Sequence, residues 1–175
     1  IKQIYYGIDF TKYETNKKNI LKKKKFLKKY KIKNNTFIIG IIARLVPQKN
    51  ISLLIKSFKN FKQKYGLKSK LIIVGNGYLK KSLKKEAEEM KISKDIIWIK
   101  FYEENEVLFK VFNLFCLTSN YEGLGLVLLE SLSAEIPTIA INQSAMREIV
   151  KNNKNGYLAR PGNSQKISDL FYKIY

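Results

Sequence analysis

Short, continuous apolar runs pace this sequence, and their spacing restricts the fold more than any single motif does. "TFIIGIIA" (36–43), "KLIIVG" (70–75), "DIIWIK" (95–100), "NLFCLT" (113–118) and "PTIAI" (137–141), together with "IKQIYY" (1–6) at the start, have the length and composition of strands. Most show no polar alternation and are rich in Ile or Val, which is what a strand shows when both of its faces are covered in a parallel sheet. Between them, helical spacing runs over 16–30, 50–65, 79–91, 103–112, 125–134, 145–151 and 164–175. Strand, loop and helix repeated in this order predict an α/β domain with a doubly wound, Rossmann-like parallel sheet. A chain of 175 residues holds one such domain with a full core. The opening "IYYGIDFTKY" reads as a continuation of something earlier, and the last helix reaches Tyr175 without a capping signal, so a fragment of a longer protein is expected.

Composition removes several function classes. There is no histidine, which excludes histidine-based acid–base catalysis and histidine metal sites within the chain. The one cysteine, Cys116, lies inside an apolar run and reads as a small buried hydrophobe. No stretch approaches the roughly eighteen consecutive apolar residues of a membrane-spanning helix, and the N-terminus lacks the order of a signal peptide. A cytoplasmic location is therefore expected, with the cytoplasmic face of a membrane as a refinement of it. The net charge of +20 comes almost wholly from lysine, since arginine occurs only at Arg44, Arg147 and Arg160. Nucleic-acid recognition normally enlists arginine forks as well, so no nucleic-acid partner is expected. The densest basic run, "NKKNILKKKKFLKKYKIK" (16–33), has two readings. It is either a surface helix with solvated lysines or a basic amphipathic helix lying on an anionic membrane surface.

Ligands of an open parallel sheet bind beyond the C-terminal ends of its strands, so the residues that follow each apolar run carry the functional signal. After "TFIIGIIA" comes "RLVPQKN", where Arg44 stands at the strand tip and Lys49 precedes a helix that Asn50 or Ser52 can cap. Two cations across such a turn can converge on one diphosphate, the arginine as a planar fork and the lysine as a point charge. After "KLIIVG" comes "NGYL". Gly75 and Gly77 bracket Asn76, and this suits either a close backbone approach to a ligand or a tight strand-to-helix turn. After "NLFCLT" comes "SNYEGLGLVLLES", in which Gly123, Leu124, Gly125 and Leu126 offer backbone amides at a helix start, a site for phosphate. Glu122 precedes that turn, and Glu130 sits about one and a half helical turns into an otherwise apolar helix. An unpartnered carboxylate there is costly, and a vicinal diol such as a ribose would satisfy it.

"GIIARLVPQKN", "LIIVGNGYL", "SNYEGLGLVLLES" and "EIVKNNKNGYLARPGN" resemble, in that order, the nucleotide-sugar-binding C-terminal half of retaining glycosyltransferases of the GT-B fold. The family in question is the large family 4 that contains sucrose synthase and the phosphatidylinositol mannosyltransferases. The resemblance covers essentially the whole chain as one donor-binding domain over 1–175, the N-terminal acceptor domain lying outside it. It implies that Arg44 and Lys49 hold the donor diphosphate, that Glu122 stands near the transferred sugar and that Glu130 binds the ribose hydroxyls. It also places Gly123, Leu124, Gly125 and Leu126 against phosphate and sugar, Gly75 and Asn76 at the donor, and Lys100 and Phe101 beside the base. Asn76 and Tyr78 stand where aspartate and proline are usual, and "NQSAMREIV" lacks the paired glycines common before Glu148.

The activity so implied is hexosyl transfer with retention from a UDP- or GDP-sugar to a glycan or lipid-linked acceptor. No metal and no further cofactor are expected, because two cations already face the leaving phosphate and the aspartates, Asp9, Asp95 and Asp169, are scattered. Two other readings stay open. One is a GT-B protein that binds the sugar nucleotide as an epimerase or a non-catalytic partner. The other, a basic nucleic-acid module, rests on charge alone and leaves the arrangement of Arg44, Lys49, Glu122 and Glu130 unexplained.

Overall fold

The structure is a computed structural model and describes residues 7–14 and 16–175. The strand expected at 1–6 lies outside those residues. Six parallel strands form one sheet: β1 (Phe37–Ile42), β2 (Ser69–Val74), β3 (Ile96–Ile99), β4 (Leu114–Leu117), β5 (Thr138–Ile141) and β6 (Tyr157–Ala159). They are ordered β3-β2-β1-β4-β5-β6. The helices are α1 (Lys17–Lys29), α2 (Ile51–Tyr65), α3 (Lys80–Glu89), α4 (Asn105–Val111), α5 (Leu126–Ser133), α6 (Met146–Ile149) and α7 (Ser164–Ile174). This is the Rossmann-like α/β sheet that the apolar runs predict, with each expected helix present and trimmed at its ends. The chain also makes single 3-10 turns at Phe10–Tyr13, Pro47–Lys49 and Ser93–Asp95. Strand β6 was not expected: it has three residues, pairs only with β5, and is too short to show an apolar run.

The strands are buried because helices cover them. Helix α2 packs against α7 and α3, while α1 packs against α4, and the Phe10–Tyr13 turn lies on α4 and α5. Phe58, Phe61, Phe109, Phe115 and Phe171 are fully enclosed between these layers and the sheet. Cys116 is enclosed with them, and burial alone pushes its thiol far above the ordinary range, as an inert small hydrophobe requires. The lysine-rich α1 turns Phe26 inward against Tyr30 and Tyr102. Lys22 pairs with Glu104, while Ile20 and Leu21 on the outer face stay exposed. Among the described residues no helix is long and apolar enough to cross a membrane.

Candidate functional site

The strand order changes direction between β1 and β4, so the loops leaving those two strands meet at the switch point where ligands of such sheets bind. Here the loops are laced together. Asn120 donates its backbone N–H to the Gln48 carbonyl at 2.8 Å, and Thr118 Oγ1 donates to the Lys49 carbonyl at 3.1 Å. Gln48 Nε2 reaches the Tyr121 carbonyl at 3.0 Å, and Asn50 Nδ2 reaches Asn120 Oδ1 at the same distance. Asn50 also holds a left-handed conformation (φ 44°) and caps α2, its side chain accepting from the Leu53 N–H. Backbone positions fixed in this way hold polar groups ready for a ligand without rearrangement.

Lys49 and Glu122 meet across this junction. The ammonium Nζ lies 2.6 Å from Glu122 Oε1 and 2.8 Å from Oε2. Ser119 Oγ adds a third bond to Oε1 at 2.5 Å. Glu122 is buried at 9% exposure, and its carbonyl accepts from Ser144 Oγ at 2.7 Å, which ties in the loop after β5. An ammonium has three N–H donors, so Lys49 keeps one beyond the two that face Glu122. Immediately after Glu122 the chain enters α5 through Gly125 in the left-handed region (φ 73°), with no side chain capping the helix. The amides of Gly123, Leu124, Gly125 and Leu126 find no acceptor among the described residues. Their dipoles and the start of α5 suit an anion.

A second feature lies beside the switch point. A cavity of about 440 Å³ opens at the tips of β1, β2 and β3, lined by Arg44, Gly75, Asn76, Lys100, Phe101 and Asn105 among others. Its size falls within the range of small-molecule sites, roughly 300–1,000 Å³. Of its eleven lining residues, the five singled out from the sequence are Arg44, Gly75, Asn76, Lys100 and Phe101. Arg44 is exposed and has no ion-pair partner among the described residues. The two glycines serve the packing of loop on loop. Gly75 has φ +146°, and a Cβ there would stand 1.9 Å from the Ala43 carbonyl oxygen. At Gly77 a Cβ would stand 2.2 Å from the Leu45 carbonyl oxygen. Ladder bonds continue past the strands at this point, from Ala43 N–H to Val74 O (2.9 Å) and from Leu45 N–H to Asn76 O (2.8 Å). Arg44 is thereby held at the cavity wall, while Lys49 is engaged by Glu122 and does not line the cavity.

Glu130 stands apart from both groups. It is half-buried on α5, and its Oε1 accepts a 2.9 Å hydrogen bond from the Tyr13 hydroxyl. Burial, with a contribution from the Glu106 carboxylate, raises its pKa against the lowering effect of the Tyr13 bond. Burial and the same hydrogen bond push the Tyr13 phenol far above its ordinary value. Glu130 is partly open to solvent, and its protein partner is a phenol. Tyr13 escaped the sequence reading because the contact joins residues 117 apart. The aspartates are engaged elsewhere: Asp9 caps its own 3-10 turn, Asp95 binds Lys62 and Lys70, and Asp169 binds Lys64. Among the described residues no group of three acidic or cysteine side chains gathers as for a metal ion.

Residues 22–175 match the family model described as "Glycosyl transferases group 1". The chain is 28% identical over 170 residues to the capsular polysaccharide biosynthesis glycosyltransferase CapM of Staphylococcus aureus, covering 96% of this chain and 43% of CapM. It thus spans less than half the length of that curated relative. The fold matches a crystal structure of Anabaena HepE in complex with UDP and glucose, with a TM-score of 0.87 at 24% identity over 98% of this chain and 46% of that one. It also matches the C-terminal domain of a glycosyl transferase group 1 family protein, LpcC, from Francisella tularensis, with a TM-score of 0.78 at 25% identity. That match covers 96% of this chain and 92% of the Francisella chain.

Proposed function

The chain belongs to the group 1 glycosyl transferases, and on that premise we propose that it is the donor-binding domain of a hexosyltransferase acting on a UDP- or GDP-sugar. The reading is carried by one observation: on loops fixed to each other at and beside the switch point stand an ammonium, a guanidinium and a run of amides unpartnered among the described residues. Transfer of a sugar leaves negative charge on the departing diphosphate, and preorganised donors aimed at that charge lower the barrier most. Arg44 from the cavity wall, the remaining Lys49 proton and the amides of Gly123 to Leu126 fill that role without a metal. Glu122 stands near the transferred sugar, where its carboxylate holds the Lys49 ammonium in place. Glu130 takes the ribose diol, and Lys100 and Phe101 border the base. Retention of configuration follows from the resemblance to family 4.

Transfer itself belongs to the whole protein, in which a second domain brings a glycan or lipid-linked acceptor to this face. The share of CapM and of HepE that the chain spans supports that division. A location on the cytoplasmic face of a membrane is supported by Ile20 and Leu21, exposed among the lysines of α1. Co-sedimentation with liposomes should rise with anionic lipid content; binding indifferent to it removes the membrane.

A thermal-shift panel of UDP-, GDP- and ADP-sugars in the presence of EDTA tests the donor site. Stabilisation by a UDP- or GDP-sugar is expected, by about 2.7 kcal/mol at a hundredfold excess over Kd. No stabilisation by any of them refutes the donor-site assignment, and stabilisation that appears only when magnesium is restored refutes metal independence.

A further inference from the structure

We propose that Tyr13 is a positioning residue for the donor ribose: its hydroxyl holds Glu130 Oε1, so that the carboxylate presents its remaining lone pairs to the vicinal diol. The inference rests on the donor-site reading above and adds a residue that the sequence did not point to. Tyr13 is itself anchored independently of Glu130. Its ring is buried, 7% exposed, and meets Phe109 edge-on at 5.8 Å and 68°. Its 3-10 turn is pinned by Asp9, which accepts from Thr11 N–H at 3.1 Å and from Thr11 Oγ1 at 2.6 Å. The turn packs on α4 and α5 together, so the phenol reaches Glu130 from a fixed base.

Two physical consequences follow for Glu130. An ionised carboxylate has about four lone-pair sites, and one bond from Tyr13 leaves room for both hydroxyls of a diol. Among the described residues that bond is the only one its side chain makes. Burial and the Glu106 carboxylate favour the protonated form, which accepts less well, and the Tyr13 bond opposes them. If the ring served only to fill the space beside Phe109, phenylalanine would do so without bringing a hydroxyl out of water. The hydroxyl is explained by Glu130.

The test is calorimetric titration of UDP, GDP and their 2′-deoxy analogues onto the wild-type chain, Tyr13→Phe, Glu130→Gln and the double variant. Wild type should prefer the ribonucleotide by about tenfold, the effect of one hydrogen bond to a charged group. Tyr13→Phe keeps the ring and should reduce that preference several-fold, with the 2′-deoxy affinity little changed. In the Glu130→Gln background, where the carboxamide keeps only one acceptor oxygen, Tyr13→Phe should change the preference less than it does in wild type. A loss that is equal for ribo- and 2′-deoxynucleotides marks a merely structural tyrosine and overturns the proposal, as does no loss at all. If Tyr13→Phe does not fold, Tyr13 is structural and the proposal is again overturned, provided that Glu130→Gln folds. Failure of wild type to bind any of the nucleotides refutes the donor-site reading itself, and this inference falls with it.

Discussion

Glu122 and Glu130 lie on one segment with seven residues between them, yet the protein satisfies the two carboxylates very differently. Glu122 accepts two bonds from Lys49 and one from Ser119, and its backbone carbonyl accepts from Ser144. Glu130, half-buried, accepts one bond from Tyr13, and burial raises its pKa. A buried charge that protein groups saturate holds structure together, here the loops after β1, β4 and β5. A half-buried charge with spare lone pairs and an upward-shifted pKa is tolerated at some cost to stability, as functional groups often are. The fold thus separates a carboxylate that joins the loops of the site from one whose lone pairs are mostly left free by the described residues.

The sharpest way to break this contrast is to remove Glu122. Glu122→Ala leaves the part-buried Lys49 ammonium without its partner and should cost about 3 kcal/mol, the lower end for a buried pair. In a chain of this size that lowers Tm by about 10 °C, measurable by differential scanning calorimetry. The paired change Lys49→Met with Glu122→Leu should recover most of that loss, because it removes both charges together. An unchanged Tm for Glu122→Ala would put the two glutamates in one class.

Glu130→Gln should show the reverse pattern. Its Tm at neutral pH should equal or exceed wild type, while affinity for a UDP- or GDP-sugar falls about tenfold in a titration. The smallest effect is on pH dependence. With its folded pKa above the ordinary carboxyl value, Glu130 contributes stability that is fully present below that ordinary value. The contribution is lost as pH rises through the raised value. The Tm of wild type relative to Glu130→Gln should therefore decline across that window, while wild-type nucleotide affinity, which needs the ionised form, should increase. Parallel pH profiles in the two proteins would remove the shift from the explanation.

The sequence made the positions of the site legible more readily than its pairings. Apolar runs located β1 to β5, the rule that ligands bind beyond strand ends pointed to Arg44, Gly75 and Asn76, and the family resemblance added Lys100 and Phe101; all five line one cavity. The first of these steps needs only local sequence and the order of elements. The sequence suggests Lys49 as a partner of Arg44 on a phosphate, whereas in the structure its ammonium faces Glu122, brought there by hydrogen bonds from Asn120 to the Gln48 carbonyl and from Thr118 to the Lys49 carbonyl. Such side-chain pairing depends on how two loops lie on each other and leaves no periodic trace. The contact of Tyr13 with Glu130 was hidden for the same reason. Strand β6 was hidden for another: three residues at a sheet edge, between an asparagine- and lysine-rich loop and Pro161, carry too little apolar pattern to register. The glycines at 75 and 77 had two uses open; the carbonyls of Ala43 and Leu45 account for both as close packing of the loops, and Gly75 also lines the cavity.

The most direct test of the donor site is calorimetric titration of wild type and Arg44→Ala with UDP, GDP, uridine and guanosine. Arg44 is exposed and unpaired among the described residues, so its removal should leave Tm within about 1 °C. A nucleoside diphosphate should bind wild type, and Arg44→Ala should weaken it about ten- to a hundredfold, the effect of losing a charge-assisted contact to phosphate. The nucleosides, which lack the diphosphate, should bind weakly and equally to both proteins. Absence of diphosphate binding to wild type, or equal affinity in the variant, would contradict the assignment of the switch point as a nucleoside-diphosphate site.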